Sequence, residues 1–383
     1  MRILHVINYF TDRAGAEFSL REFVLATQGP GFQHGIAVLG VGINEFASVE
    51  AAGVQVFEPR TPLASTLAKI RHVRRAIRSF RPDLVHTTLA DSNLVGRVAA
   101  KLASLPALTS LVNTPYVEEA LMDRDVPFLR SKRGFVRLVD GLLGRHATTA
   151  FHAITETVAV SAVARLGIDP SAITVVPRGR DREFLGKPSP ERRLVARQRL
   201  GITDARPVLI NVARQEAQKG QGYLLEAMIE IRRQHPDVLL LIVGREGART
   251  SALRRTIADR NLEDSVRMLG LRRDVPDLLC ASDVFVFPSL YEGLGGAVLE
   301  AMALRVPIVA TDVPALQEVL EGDRCALLVP IADPGALARG VCAVLDDPDA
   351  ASERVKAAAQ RFETTYELSV SVEGMRRLYE GLA

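Results

Sequence analysis

Short apolar runs alternate with helix-like stretches along the chain, and this alternation restricts the folds that the sequence can form. The runs lack the polar alternation of half-exposed strands, so they are typical of strands buried on both faces. In the first part of the chain they are Ile3 to Ile7, Gly35 to Leu39, Val54 to Phe57, Leu84 to Thr87, Leu108 to Val112, His152 to Thr155 and Ile173 to Val176. In the second part they are Val208 to Val212, Val238 to Val243, Val266 to Leu269, Val284 to Phe287, Val306 to Ala310 and Ala326 to Val329. Buried strands separated by helices predict an α/β fold with parallel sheets.

The length of the chain predicts two such domains, because 383 residues are more than one hydrophobic core normally serves. Residues Arg180 to Ala205 are charged and contain Pro188 and Pro190, which indicates a linker region. We therefore expect domains at 1–185 and 186–365, both doubly wound and Rossmann-like. Open sheets of this kind bind ligands beyond the carboxyl ends of their strands, so we expect those loops to face an interdomain cleft.

Composition and cysteine usage limit the class of protein. A formal charge of +3 is too small to indicate nucleic-acid binding, and we expect no nucleic-acid partner. Cys280, Cys325 and Cys342 lie in apolar stretches without metal or CxxC spacing, which predicts buried, reduced thiols of a cytoplasmic protein. No stretch reaches the roughly 18 uninterrupted apolar residues of a transmembrane helix, so any membrane association would be peripheral.

The segment from Pro288 to Met302 carries the strongest functional signal. A glycine-rich turn follows the apolar run Val284 to Phe287 and precedes a helical pattern. Such a junction binds anions, because free N–H groups and the helix dipole point at the bound charge. Glu292 and Glu300 flank the turn and could accept hydrogen bonds from hydroxyl groups. Hydroxylated groups on either side of a diphosphate describe a nucleotide sugar.

The same segment resembles the donor-site signature of retaining glycosyltransferases of family 4, which have the two-domain GT-B architecture. The shared pattern is Pro-Ser-x-x-Glu-Gly-x-Gly-x-x-x-Leu-Glu-Ala-Met-Ala. The resemblance implies that Glu292 contacts the donor sugar, that Glu300 binds the ribose hydroxyls and that N–H groups after the turn hold a phosphate. The donor-binding residues would then include Glu292, Gly293, Leu294, Gly295, Gly296 and Glu300. It also implies acceptor binding by the N-terminal domain and a closing helix at 366–383 that returns to that domain.

Two cations follow the first strand of the second domain. Arg214 and Lys219 could neutralise a diphosphate leaving group, although two exposed bases in a loop are common. In the family that this chain resembles, an Arg and a Lys at this spacing, with the Lys before a Gly, contact the donor phosphates. The resemblance thus implies that Arg214, Lys219 and Glu292 are the catalytic residues.

Two further glycines are candidate donor contacts by resemblance. The segment Asp12 to Glu17 is similar to the family's Gly-Gly-x-Glu loop, with Ala14 in place of the first glycine and Gly15 retained. Without that pattern Gly15 would be only a turn residue. The loop that begins at Gly244 matches the family's Gly-x-Gly turn with one inserted residue.

Other positions depart from the family pattern. Asn113 stands where members often carry a histidine facing the reacting sugar, and Thr88 stands where a second histidine often lies. Asparagine can hydrogen-bond a hydroxyl but cannot take up a proton at neutral pH, so Asn113 and Thr88 are candidate sugar or acceptor contacts. His86 we interpret as structural. Arg305 replaces a glycine that usually ends a helix in the left-handed conformation, which predicts strain or a different cap.

Residues 69–81 contain no acid and form a basic amphipathic pattern. Ile70, Val73, Ile77 and Phe80 define one apolar stripe, and the opposite face is cationic. That face could rest on an anionic membrane surface at the inner face of the cytoplasmic membrane, or attract an acidic acceptor. An ordinary crossover helix packed on its own sheet explains the pattern equally well.

These residues and the resemblance to family 4 together lead us to expect a retaining, metal-independent hexosyltransferase. The resemblance implies a UDP- or GDP-sugar as donor and a cell-surface glycan, glycolipid or small-molecule acceptor, and we expect no cofactor or metal. Asp123 and Asp125 resemble a metal-binding Asp-x-Asp only superficially, because no strand precedes them. One alternative is a nucleotide-sugar epimerase or hydrolase, which needs an acid or base beside the sugar. Another is a catalytically silent relative that binds the donor or a partner transferase.

Overall fold

The computed structural model describes residues 1–11, 15–114, 127–202 and 205–382, with the backbone alone for 127–133. Its contacts divide the chain into two compact units. The first comprises most of the chain up to Gly179 together with the segment from Leu368, and the second comprises Arg180 to Glu367. Every predicted strand is present, and each end lies within two residues of its predicted position.

The first unit contains a seven-stranded parallel sheet. Its strands are β1 Arg2–Ile7, β2 Gln33–Val38, β3 Gln55–Phe57, β4 Leu84–Thr88, β5 Ala107–Leu111, β6 Ala150–Ala153 and β7 Ile173–Val175. Their order is β3-β2-β1-β4-β5-β6-β7. The connecting helices are α1 Gly15–Thr27, α2 Ala47–Ala51, α3 Thr66–Phe80, α4 Ala90–Lys101, α5 Pro127–Ala147 and α6 Glu156–Leu166.

The side chains of β1 alternate between two cores, one on each face of this sheet. Ile3 and Ile7 join the cluster that includes α1, whereas Leu4 and Val6 join the cluster that includes α3 and α4. Successive strand residues point to opposite faces, so a strand that is apolar throughout is buried on both sides. Burial on both faces explains why the strands of the first unit appear in the sequence as continuous apolar runs.

The second unit contains a six-stranded parallel sheet. Its strands are β8 Val208–Val212, β9 Leu239–Val243, β10 Val266–Gly270, β11 Val284–Phe287, β12 Ile308–Thr311 and β13 Leu327–Val329. Its helices are α7 Arg182–Leu185, α8 Pro190–Leu200, α9 Gln221–Gln234, α10 Thr250–Asp259, α11 Val275–Cys280, α12 Gly296–Ala303, α13 Pro314–Leu320, α14 Pro334–Asp346 and α15 Pro348–Arg361. A π-helical turn, Phe362–Tyr366, follows α15.

The strand order of the second sheet explains where a ligand can bind. The order is β10-β9-β8-β11-β12-β13, so the chain progresses in opposite directions from the neighbours β8 and β11. In open parallel sheets, ligands bind beyond the carboxyl ends of the strands at which this reversal occurs, here β8 and β11. The two strongest sequence motifs lie in the loops that follow these two strands.

The region expected to be a linker is packed on the second unit instead. Arg193 and Arg197, both on α8, donate to the carboxylate of Asp283 at 2.5 and 2.8 Å. The same carboxylate accepts the N–H of Val208 at 2.7 Å, which ties α8 to the first strand of the sheet. The unit boundary accordingly falls after Gly179 and not at 185, because residues from 180 onwards bond within the second unit.

The last helix, α16 Leu368–Glu380, belongs to the first unit. Met375 and Tyr379 enter the core cluster of β1 and α1. The hydroxyl of Tyr379 lies 2.7 Å from Nδ1 of His86 on β4. The segment returns to the first unit at residue 368, two residues after the position expected for the closing helix.

The basic helix α3 uses its apolar face for packing within the first unit. His72, Val73, Ala76, Ile77 and Phe80 are buried, and the last four belong to the core cluster beneath α3. The arginines of the opposite face remain exposed at Arg71, Arg75 and Arg78. Any partner of this helix would therefore meet charge and not the apolar stripe.

The three cysteines are free and buried, as their apolar surroundings predicted. Burial raises the pKa of each thiol above its usual value. In the described part of the chain, no helix is both long enough and apolar enough to span a bilayer.

Candidate functional site

Lys219 and Glu292 meet beyond the carboxyl ends of β8 and β11. Lys219 ends the 3₁₀ turn Ala217–Lys219 after β8, and Glu292 lies in the loop after β11. Lys219 Nζ lies 2.5 Å from Glu292 Oε1, and the two side chains are 14% and 7% exposed. The ammonium also lies 5.4 Å from the centroid of the Phe287 ring. Two residues predicted to be catalytic thus form one buried ion pair.

Backbone contacts hold the two loops in register. The N–H of Leu290 donates to the carbonyl of Gln218, and the Gln218 amide donates to the carbonyl of Tyr291, both at 2.8 Å. Gly220 has φ +63°, and a Cβ there would lie 1.9 Å from the carbonyl oxygen of Pro288. The glycine after Lys219 is therefore required both by its backbone conformation and by the close approach of the second loop.

Arg214, in the loop after β8, lies next to Gly244, which follows β9. The Arg214 side chain is exposed, and within the described ranges it makes no hydrogen bond or ion pair. Gly244, directly after β9, has φ +141°, and a Cβ there would lie 2.0 Å from the carbonyl oxygen of Ala213. Gly244 thus lets the loop after β9 pack against the backbone beside Arg214, whose charge stays available to an anion.

The glycine turn after Glu292 opens a helix. Gly295 has φ +85° and precedes α12, whose first residue is Gly296. The N–H groups of a first helical turn have no intrahelical acceptor, so this turn can bind an anion. Gly293 lies in the same turn, and Leu294 is buried there. All six residues that the signature identified therefore lie in one segment of strand, turn and helix.

Glu300 has a partner that the sequence did not suggest. Arg180 Nε lies 3.0 Å from Glu300 Oε1, with the arginine 4% and the glutamate 19% exposed. The guanidinium also covers the start of α12, since a Cβ on Gly296 would lie 2.1 Å from one of its terminal nitrogens. Arg180 lies 120 residues before Glu300, and no spacing rule connects them.

The other candidate residues belong to the first unit. Gly15 is the first residue of α1, and among the described residues no atom beyond its chain neighbours and its own helix backbone would lie within 4 Å of a Cβ there. No contact that the structure describes therefore requires a glycine at this position. Thr88 is buried at the end of β4, and Asn113 follows β5 with its Oδ1 accepting the N–H of Thr114 at 2.9 Å. Their contacts with donor, sugar or acceptor remain predictions.

His86 is buried in a chain of hydrogen bonds across the first sheet, which supports its interpretation as structural. His152 Nε2 must carry a proton, because it lies 2.8 Å from the carbonyl of Val176. His152 Nδ1 then accepts the Ser110 hydroxyl at 2.8 Å, and Ser110 accepts His86 Nε2–H at 2.7 Å. His86 Nδ1 is left to accept the hydroxyl of Tyr379. Burial lowers the pKa of both histidines, to about 4 for His152 and well below the usual value for His86.

Two departures from the family pattern have different outcomes. Arg305 has φ +58°, so an arginine adopts the left-handed conformation that a glycine normally supplies, which is the strained alternative of the two that its position predicted. Ala14, like Asp123 and Asp125, lies outside the described residues.

The fold and the site together define a glycosyltransferase of GT-B type. A family model described as "Glycosyl transferases group 1" matches residues 206–347, and one described as "Glycosyl transferase 4-like domain" matches residues 13–179. The two models cover the candidate motifs of the second unit and most of the first. The chain belongs to the glycosyltransferases of family 4 type.

Individual relatives agree with this assignment. The chain is 28% identical to UDP-Gal:alpha-D-GlcNAc-diphosphoundecaprenol alpha-1,3-galactosyltransferase of Escherichia coli, over 78% of this chain and 76% of the relative. It is 29% identical to D-inositol 3-phosphate glycosyltransferase of Pseudarthrobacter chlorophenolicus, over 79% and 72%. The structure of HepE from Anabaena in complex with UDP-glucose superposes with a TM-score of 0.84 at 20% identity, covering 99% and 100% of the two chains. At that identity the superposition shows the fold alone.

Proposed function

We propose that this glycosyltransferase is a retaining, metal-independent hexosyltransferase that uses a nucleotide diphosphate sugar. The observation that carries the proposal is the buried ion pair between Lys219 and Glu292, with the exposed charge of Arg214 in the loop that also carries Lys219. It provides two cations for a diphosphate and one carboxylate for a sugar. HepE, which shares the fold, was solved with UDP-glucose bound.

The two cations would carry the chemical step. As the bond between the anomeric carbon and the diphosphate oxygen breaks, negative charge accumulates on the diphosphate, and Lys219 and Arg214 stabilise it. The acceptor hydroxyl attacks from the same face, and its proton passes to the departing diphosphate oxygen. This sequence of events retains the anomeric configuration and uses no metal, since the protein's own cations supply the positive charge.

The carboxylates would hold the two ends of the donor. Glu292, beside the cations, would accept hydrogen bonds from hydroxyls of the hexosyl unit, and Glu300, one turn into α12, from the ribose. The glycine turn between them would hold a phosphate on its N–H groups.

The acceptor would be a glycan, a glycolipid or a small molecule bound mainly by the first unit. The name of the E. coli relative specifies a diphosphoundecaprenol-linked sugar, which favours a lipid-linked acceptor. The exposed arginines of α3 are suited to an anionic lipid surface carrying such an acceptor. Attachment would be electrostatic and peripheral, because the apolar face of α3 is buried within the first unit.

An epimerase or hydrolase would use the same donor contacts but would need an acid or base beside the sugar. A silent relative would bind the donor without turnover. The deciding experiment is a release assay for free UDP and GDP, run with UDP- and GDP-hexoses and with or without candidate acceptors. Release that requires an acceptor supports the transferase, release without one supports a hydrolase, and binding without release supports the silent relative.

A further inference from the structure

Arg180 is fixed in the second unit by its backbone as well as by its side chain. Its N–H donates to the carbonyl of Tyr366 at 2.9 Å, and its backbone forms an isolated parallel bridge with Glu367. Tyr366 ends the π-helical turn that packs against α12. The guanidinium therefore extends from a rigid point towards α12.

The position of the guanidinium has a steric consequence for α12. Residue 296 is a variable position of the family 4 signature, and Gly296 does not have a positive φ that would require glycine. A side chain at this position would nevertheless collide with Arg180, at 2.1 Å from Cβ to the terminal nitrogen. Glycine at 296 and arginine at 180 therefore form a matched pair.

The charge of Arg180 at the start of α12 is compensated by Glu300. A cation at a helix N-terminus is unfavourable, because the helix dipole places positive charge there. The buried guanidinium of Arg180 lies over the start of α12, and its Nε–H donates to the carboxylate of Glu300, which compensates this charge. A hydrogen bond from a planar, permanently charged group also restricts the orientation of the carboxylate that it holds.

We infer that Arg180 is a positioning residue that orients Glu300 for the ribose hydroxyls of the donor. One Glu300 oxygen is held by Arg180, and the carboxylate keeps acceptor capacity for the ribose. The inference rests on the proposed ribose-binding role of Glu300 and adds a residue that the family signature does not contain.

The test compares the affinity of UDP and GDP with that of their 2′,3′-dideoxyribose analogues, using whichever base binds the wild type more tightly. We expect the wild type to prefer the ribose form by about tenfold or more, the scale of a hydrogen bond to a carboxylate. Arg180→Met should reduce this preference to the ratio seen for Glu300→Gln. Arg180→Lys, which keeps the charge but lacks the planar fork, should give an intermediate ratio.

Arg192→Met is the matched control. Arg192 donates from Nε to Asp277 at 2.7 Å in the same unit but outside the candidate site. Its loss should lower stability and leave the preference for ribose unchanged. A purely structural Arg180 would behave like Arg192.

A second variant tests the same contact without removing the arginine. Gly296→Ala should displace the guanidinium and lower the preference for ribose, whereas in the Arg180→Ala background it should change the ratio no further. Retention of the wild-type ratio by Arg180→Met or by Gly296→Ala would overturn the inference. If Glu300→Gln itself keeps the wild-type ratio, the ribose-binding role of Glu300 fails first, which distinguishes the two failures.

Discussion

Lys219 and Glu292 lie 73 residues apart in sequence, and their side chains form a buried ion pair of 2.5 Å. Each charge compensates the other, and the ion pair holds the Lys219 ammonium in a fixed position. A diphosphate bound beside Lys219 would then meet an ammonium that is already oriented. A preorganised cation of this kind is effective at stabilising the negative charge that develops in a transition state.

Lys219→Ala should reduce turnover by roughly 10²–10³-fold, the scale of losing one preorganised donor. The change in donor affinity should be smaller, because the negative charge on the diphosphate grows as the glycosidic bond breaks. Steady-state kinetics with the best donor and acceptor, together with calorimetric titration of that donor, measure both quantities. Lys219→Arg is the control that keeps the charge opposite Glu292.

Activity should also persist in a strong chelator, because Lys219 and Arg214 supply the positive charge. Loss of transfer on chelation combined with an active Lys219→Ala variant would contradict the metal-independent mechanism. Asp123 and Asp125 would then be the first residues to test as ligands.

Loss of Glu300 and loss of Glu292 should affect the binding of different parts of the donor. Glu300→Ala should weaken binding of the bare nucleoside diphosphate by roughly 1.5–3 kcal/mol, because a hydrogen bond between ribose and a charged group is lost. Glu292→Ala should leave that affinity nearly unchanged and reduce turnover, since its proposed contact is with the sugar. Calorimetry of both variants decides the matter, and equal losses of affinity would rule out this division of roles.

The first unit should lose stability in mild acid. Burial lowers the pKa of His34 and of His152 from 6.5 to about 4. The folded state therefore binds fewer protons than the unfolded state in this window, and stability present above pH 6.5 falls as the pH falls towards 4. Each of the two histidines should contribute up to about 3 kcal/mol to this loss.

Chemical denaturation from pH 7 to pH 4.5 measures the effect of these histidines. A His152→Gln variant should show a shallower fall than the wild type. An unchanged slope would mean that buried His152 is not one of the groups that couple protonation to unfolding.

The cationic face of α3 should bind anionic vesicles in a salt-dependent manner. Each exposed arginine near such a surface contributes about 1 kcal/mol, so replacing Arg71, Arg75 and Arg78 by Gln should abolish most of the binding. Co-sedimentation with vesicles that contain or lack phosphatidylglycerol measures it. Replacement of Arg233, Arg254 and Arg255, which are exposed in the second unit, removes the same charge and is the control. Equal losses for the two triple variants would argue against a specific role for α3.

Arg305→Gly should stabilise the second unit. Arg305 adopts φ +58°, which costs a residue with a Cβ about 1 kcal/mol relative to glycine. Within the described residues its side chain makes no hydrogen bond or ion pair that this change would remove. Urea denaturation should show a higher free energy of unfolding for the variant, and a lower one would mean that Arg305 makes a stabilising contact of another kind.

Short-range patterns in the sequence were sufficient to predict the strands, the two doubly wound sheets and the segment from Pro288 to Met302. Burial on both faces requires an apolar run, and a turn with positive φ favours a glycine such as Gly295, so short stretches of consecutive residues indicate these features. The end of a helix at Arg305 was predictable in the same way, but the sequence left strain and a different cap as alternatives, and the structure shows the left-handed, strained backbone.

The tertiary structure decided which distant side chains meet. Lys219 reaches Glu292 because β8 and β11 are neighbours at the switch point of the sheet. Arg180 reaches Glu300 because its backbone is paired beside Tyr366, and His86 meets Tyr379 because α16 belongs to the first unit. Such contacts depend on the strand order of each sheet and on the return of the C-terminal helix α16 to the first unit. The periodicity of a single segment determines neither of these. The residue types of the site could thus be found from the sequence, whereas their pairing, which sets the charge and orientation of each, follows only from the fold.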